Sequence, residues 1–301
     1  MLHLILCILF TTVIFIIFRL FRTYRIETFQ AIVVNYVTAS LCAFFFKSVD
    51  FDFQNIFEKQ WIYLSLFLGL LFISVFYIMA LTTQKYGVSV ASVISKMSLV
   101  IPVVAAYYLY ADRFNWVKVI GIFMALAAVY LINIRKENNK ELGIRTKAGI
   151  LLLPVALFFG NGLIDTMIKF SQALYIPQGE NEFFISSLFG TAAIIGLLSL
   201  VYRKLARGKK FERKSLAGGF ILGIINFFSL FYLLKALDVM ESSVVYPLLN
   251  VGIVFLSAVA GFFMFKEHLS VKNIIGIACA IIAIIFIASS EIVINYVTPT
   301  P

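Results

Sequence analysis

The sequence predicts an all-α fold: a polytopic membrane protein with ten transmembrane helices arranged as two inverted five-helix repeats. Three observations predict it. Of 301 residues, 62% are hydrophobic and 13% are charged, with a mean hydropathy of +0.99, whereas a water-soluble domain has an apolar fraction near one half. The segment VIGIFMALAAVYLI at 119–132 recurs as IIGIACAIIAIIFI at 274–287, an offset of 155 with six identities in 14 positions. At that offset Asp112 matches Glu267, each nine residues before a glycine, Gly121 or Gly276. Apolar low complexity explains some matching letters, but not an acid and a glycine held in register. Third, the basic residues alternate between connections, as set out below.

In hydrocarbon every backbone N–H and C=O needs an internal partner, so the chain must form helices or a closed barrel. Long apolar runs without period-two alternation select helices. With about 20 apolar residues per crossing, residues 2–20 are the first span. No basic residue precedes it, and Arg19, Arg22 and Arg25 follow it, where a cleavable leader would end in small residues. Span 2 at 28–46 carries Asn35 and Tyr36, span 3 covers 61–83, and span 4 at 87–110 holds Lys96 and Pro102. Span 5 at 115–134 is the first copy of the repeated segment. The polar connection RKENNKELGIRTK closes the first half, so the repeats are expected at 1–147 and 148–301. Span 6 at 148–170 holds Asn161, Asp165 and Lys169. Span 7 covers 183–202, span 8 at 216–237 carries Asn226, span 9 at 242–265 carries Tyr246 and Asn250, and span 10 at 270–291 is the second copy.

The connections after spans 1, 3, 5, 7 and 9 hold 18 of the 25 Lys and Arg, against five near the others: Lys47, Lys59, Arg113, Lys118 and Lys235. Positive connections stay in the cytoplasm, so both termini are expected outside a cell (inner) membrane. An odd number of spans per half inverts the second copy. The net charge of +10 is then a topology signal and needs no nucleic-acid partner. Cys7, Cys42 and Cys279 lie in apolar runs without metal-ligand spacing and read as packing residues.

Lys96 is the most informative single residue. It lies about 13 Å into span 4 at 1.5 Å per residue, where a cation costs about 2.5–3.5 kcal/mol and faces a bundle interior or a water-filled cavity. Ser89, Ser92 and Lys96 share one helical face. The alternative is a lysine satisfied by a backbone carbonyl or reaching to the interface. In span 9, Ser243, Tyr246 and Asn250 repeat the spacing, and Asn250 is the offset partner of Ser95. Pro102 and Pro247 release carbonyls near Ser98 and Ser243, either lining a cavity or making simple kinks. Asn35, Tyr36, Asn161 and Asn226 are further mid-depth candidates, with interhelical hydrogen bonding as their structural alternative. Asp165 and Lys169 read as a local i, i+4 pair near the interface, away from Lys96. Asp112 and Glu267, at helix ends, read as capping or pairing residues.

An enzyme would need a catalytic set. His3 and His268 are the only histidines, and neither neighbours a cysteine or a carboxylate cluster. No nucleotide-binding loop occurs, so energy would come from gradients. Neither a cofactor nor a metal is expected.

Two inverted five-span repeats, each with an acid closing its fourth span and a glycine-bearing fifth, resemble the drug/metabolite transporter superfamily and its EamA-type branch. The segment FKEHLSVKNIIGIACAIIAIIFIAS at 265–289 resembles that branch's signature. ADRFNWVKVIGIFMALAAVYLIN at 111–133 is a weaker version, with Asp112 in place of glutamate. Where the branch commonly carries Trp-Gly in its first span, this chain has Phe10-Thr11. Typical relatives keep both termini in the cytoplasm, the reverse of the charge count here.

The expected function is secondary transport of a small polar or anionic metabolite, such as an amino acid, by alternating access around a midplane cavity. Lys96 would meet the anionic group while Ser92, Tyr246 and Asn250 orient the rest. A non-transporting subunit or flippase-like protein for a lipid-linked head group is the second reading. The expected partners are a small-molecule substrate and the bilayer; the sequence does not set the oligomeric state, a monomer being one option.

Overall fold

The computed structural model describes residues 2–46, 59–102, 104–105, 116–133, 144–176, 180–208, 211–237, 239, 242–267 and 270–297. The described segments are helical: α1 (Leu2–Thr23), α2 (Thr28–Phe45), α3 (Gln60–Tyr86), α4 (Val88–Met97), α5 (Trp116–Asn133), α6 (Ile144–Leu174), α7 (Asn181–Arg207), α8 (Arg213–Leu237), α9 (Ser242–Phe265) and α10 (Val271–Val297). Among the described residues six helices are long and apolar enough to cross a membrane. The stretches Val88–Pro102, Val119–Ala128, Leu152–Ile168 and Val271–Phe286 are shorter apolar helices. This is a multi-pass helical membrane protein.

Local chemistry sets the helix ends. The chain leaves α1 through a Schellman turn, in which Ile26 N–H donates to the Phe21 carbonyl (2.9 Å) and Arg25 N–H to that of Arg22 (3.3 Å). Arg25 occupies the left-handed region, φ 54°, where glycine is the usual residue. Glu27 then caps α2 by accepting from Gln30 N–H at 2.6 Å. Gly87, at φ 101°, separates α3 from α4. That conformation is open to glycine and strained for a side chain.

Helix α1 packs on α8 and α9, α2 on α7 and α8, α3 on α6 and α7, α4 on α9, and α5 on α10. Shape explains the tightest seam. Gly219 and Gly223 let α8 approach α2 until an added Cβ would stand 2.4 Å from the Ala31 carbonyl and 2.7 Å from that of Asn35. Small residues at such seams substitute close packing for the hydrophobic drive that lipid removes.

Polar clasps hold the two ends. At the basic end, Arg19 and Arg22 both donate to the Gln84 carbonyl, and Gln84 Nε2 donates to Thr28 Oγ1 (2.8 Å). At the other end, Glu180 pairs with Lys59 and accepts from Trp61 Nε1 at 2.7 Å. One turn inward Ser65 and Ser187 hydroxyls meet at 2.7 Å.

Helix α4 is the central element, touching α1, α3, α5, α6, α9 and α10. It ends at Met97, where a tightened turn follows: Ile101 N–H donates to the Ser98 carbonyl at 2.9 Å. The carbonyl that Pro102 was expected to release is therefore engaged, because the backbone tightens from i−4 to i−3 pairing just before the proline ring.

Candidate functional site

Residues Val88–Ser95 and Met97 of α4 are buried, and Lys96 between them is half-buried. The Lys96 side chain makes no hydrogen bond or ion pair with any described residue, while Asp165 of α6 and Cys7 of α1 lie within its electrostatic range. Its position in the last turn of α4 also places it at the partly negative end of that helix, which favours a cation.

The level of Asn250 follows from contacts. Ser89 Oγ donates to the Ser257 carbonyl (3.5 Å), and Val88 N–H donates to Glu267 Oε1 beyond the end of α9 (2.7 Å). Ser89 meets Ser257 while Lys96 and Gly252 both lie near neighbouring α1 residues, Cys7 and Ile8, so α4 and α9 run antiparallel, and seven residues along α4 from Ser89 and seven back along α9 from Ser257 bring Lys96 level with Asn250. A Cβ on Gly252 would stand 2.7 Å from Ile8 Cδ1, beside Cys7. Asn250 is 6% exposed, and its side chain makes no hydrogen bond with a described residue. Tyr246, one turn away and half-buried, lies in the electrostatic range of Asp165 and Cys7.

The remaining candidates have partners. Ser92 Oγ donates to the Ser89 carbonyl (2.9 Å), and Asn161 Nδ2 to Ser95 Oγ (2.9 Å), tying α6 to α4. Tyr36 Oη donates to the Phe72 carbonyl (3.0 Å), tying α2 to α3. With the amide orientation its surroundings require, Asn35 donates to the Leu222 carbonyl (3.3 Å) and lies 3.2 Å from the Asn226 amide. These two join α2 to α8. The side chains of Ser243, Pro247 and Lys169, and residues Asp112 and His268, lie outside the described residues.

Three features go beyond the sequence reading. Asp165 lies within electrostatic range of Lys96. Helix α6 runs on to Leu174, so Asp165 lies about 13 Å from its end, and the Asn161–Ser95 bond fixes the facing level one turn away. Thr11 meets Ser229 of α8 at 2.7 Å, with Cys7 Sγ 3.9 Å from Thr11. Phe10, beside Thr11, stacks on Tyr232 and Phe228 at 5.7 Å. The Phe10-Thr11 departure from Trp-Gly thus marks an α1–α8 contact. Finally, Glu267 reaches across the chain to cap α4, its Oε2 accepting from Ser89 Oγ at 3.0 Å.

The described residues form a bundle of apolar helices with Lys96 in its central helix. Residues 1–134 match the EamA-like transporter family. The match takes in the segment at 111–133, the one that departs further from the signature. An uncharacterized protein of Haemophilus influenzae (strain ATCC 51907 / DSM 11121 / KW20 / Rd) is 29% identical over 290 residues, covering 94% of this chain and 96% of that protein.

Proposed function

We propose that the chain is a secondary transporter of a small polar or anionic metabolite, built from two inverted five-span halves, 1–147 and 148–301, that alternate around Lys96. The observation that carries this reading is Lys96: a half-buried cation in the central helix, whose side chain makes no hydrogen bond or ion pair with a described residue. Its desolvation, about 2.5–3.5 kcal/mol, is offset in part by Asp165, and an anionic group arriving from outside the protein would offset the remainder.

Helix pairing supports the inverted halves. Exchanging each helix for its counterpart (α1 for α6, α2 for α7, α3 for α8, α4 for α9, α5 for α10) turns α1–α8 into α6–α3 and α2–α8 into α7–α3. It also turns α1–α9 into α6–α4, and leaves α2–α7, α4–α9 and α5–α10 as they are. All of these pairs occur. With an offset of 155 and Ser89 against Ser257, the pseudo-twofold axis crosses the α4–α9 seam beside Lys96 and Asn250. Substrate sites of such transporters lie at that crossing, commonly at interrupted helices, and α4 ends at Met97, one residue past Lys96.

In this reading Lys96 binds the anionic group of the substrate, and Asn250 and Tyr246 orient the remainder. Ser92 shapes the α4 face. Asn35, Tyr36, Asn161 and Asn226 hold the surrounding helices in register through the bonds described above. The basic end, with Arg19, Arg22, Lys85, Arg203 and Lys204, faces the cytoplasm, leaving both termini outside. Uptake of a metabolite panel into proteoliposomes tests this: Lys96→Ala abolishes transport of the accepted anionic compound while the protein remains folded, and unchanged transport in that variant removes Lys96 from the mechanism.

A further inference from the structure

At the basic end, between α2 and α7, the surface sinks into a cleft of about 240 Å³. We propose that this cleft seats the phosphodiester head of an anionic membrane phospholipid. Its charged lining is Arg203, Lys204 and Glu27, a net of one positive charge. The opposing carboxylate is already engaged: Glu27 Oε2 accepts from Gln30 N–H at 2.6 Å, and Oε1 lies 3.9 Å from Arg203. Arg203 is held in place by the Phe29 ring, 4.0 Å from its guanidinium carbon. The distant Glu27 contact leaves the flat donor edge available to a phosphate. Lys204 is exposed beside it. One net positive charge matches the single negative charge of a phosphodiester.

The rest of the cleft selects a lipid over free phosphate. Leu197, Val201 and Phe211 line it and are 47%, 55% and 47% exposed. They continue the outer face of α7, where Ile194, Leu198 and Leu205 are exposed to the bilayer. A soluble anion would leave this wall against water, whereas an acyl chain covers it. The cleft is also pre-formed, because Gln30 Oε1 accepts from Glu212 N–H at 2.9 Å and pins the start of α8 against α2. Basic clefts at the end of membrane helices recognise acidic lipid heads in this way. The inference does not depend on what Lys96 binds.

Native mass spectrometry of the full chain in detergent, titrated with phosphatidylglycerol, phosphatidylcholine or inorganic phosphate, tests it. Phosphatidylglycerol is retained as a one-to-one adduct in preference to phosphatidylcholine. Arg203→Ala/Lys204→Ala weakens that adduct roughly 30-fold, while Lys214→Ala/Lys272→Ala, with the same loss of charge, leaves it intact. Val201→Trp fills the apolar wall with the charges unchanged and also weakens the adduct, which separates lipid seating from a general loss of fold. Equal retention by the Arg203/Lys204 variant, equal loss in the control pair, or displacement of the lipid by inorganic phosphate would each overturn the assignment.

Discussion

Glu267 caps a helix that begins 179 residues before it: its carboxylate accepts from Val88 N–H at 2.7 Å and from Ser89 N–H at 3.3 Å. Two otherwise orphaned donors at the start of α4 are met by one negative charge at the positive end of the helix dipole. The fit is close, since a Cβ on Gly87 or Gly261 would stand 2.5 Å from a Glu267 oxygen. The contact also joins the two halves of the sequence.

Glu267→Ala is expected to destabilise the protein by about 1–2 kcal/mol, and Glu267→Gln by less, because the amide keeps one acceptor and loses the charge. Thermal unfolding in detergent measures both. Equal melting temperatures for wild type and the alanine variant would show that this cap contributes nothing.

Placing a carboxylate level with Lys96 mimics the anionic group assigned to the substrate. Asn250→Asp is therefore expected to suppress transport in proteoliposomes by tenfold or more, on the order of the 1.4 kcal/mol that such a factor represents. The variant should stay folded, since the substitution is nearly isosteric. Full activity of Asn250→Asp would place the substrate's anionic group elsewhere.

The Thr11–Ser229 bond, at 2.7 Å, joins α1 to α8 inside the bundle. Thr11→Val and Ser229→Ala should each cost about 0.6–1.7 kcal/mol, and the double variant little more than either alone, because both remove the same bond. A double-mutant cycle on unfolding checks this. Additive losses would mean that the two hydroxyls do not act on one another.

Orientation is open to direct measurement. With Cys7, Cys42 and Cys279 replaced, a cysteine at Tyr296 is expected to react with an impermeant thiol reagent in intact cells, and one at Lys214 to be protected. The opposite labelling pattern would invert the orientation read from the basic connections.

Much of the helical frame was legible in the sequence. Lipid gives backbone groups no partners, so apolar run lengths locate the helices, and the described helices fall on the runs read as spans. Lys96 and Asn250 were also legible, as polar residues at mid-depth. That Asp165 lies within electrostatic range of Lys96 was not legible, because depth counted along one helix does not give its rotation toward another. Thr11 and Ser229 carried no signal: a hydroxyl in an apolar run reads alike whether it bonds its own helix, as Thr12 does with the Ile8 carbonyl, or a helix 218 residues away.

The sequence by itself determined the solvent, the helical class and the charged end of the bundle, because each follows from composition or from local order along the chain. Only the tertiary structure decided which polar groups are already engaged. Asn35, Tyr36, Asn161 and Asn226 hydrogen-bond to or lie against neighbouring helices, while Lys96 and Asn250 stand level at the α4–α9 seam without such bonds to a described residue. That division rests on helix packing, which sets the depth and rotation of each helix against neighbours far away in the chain.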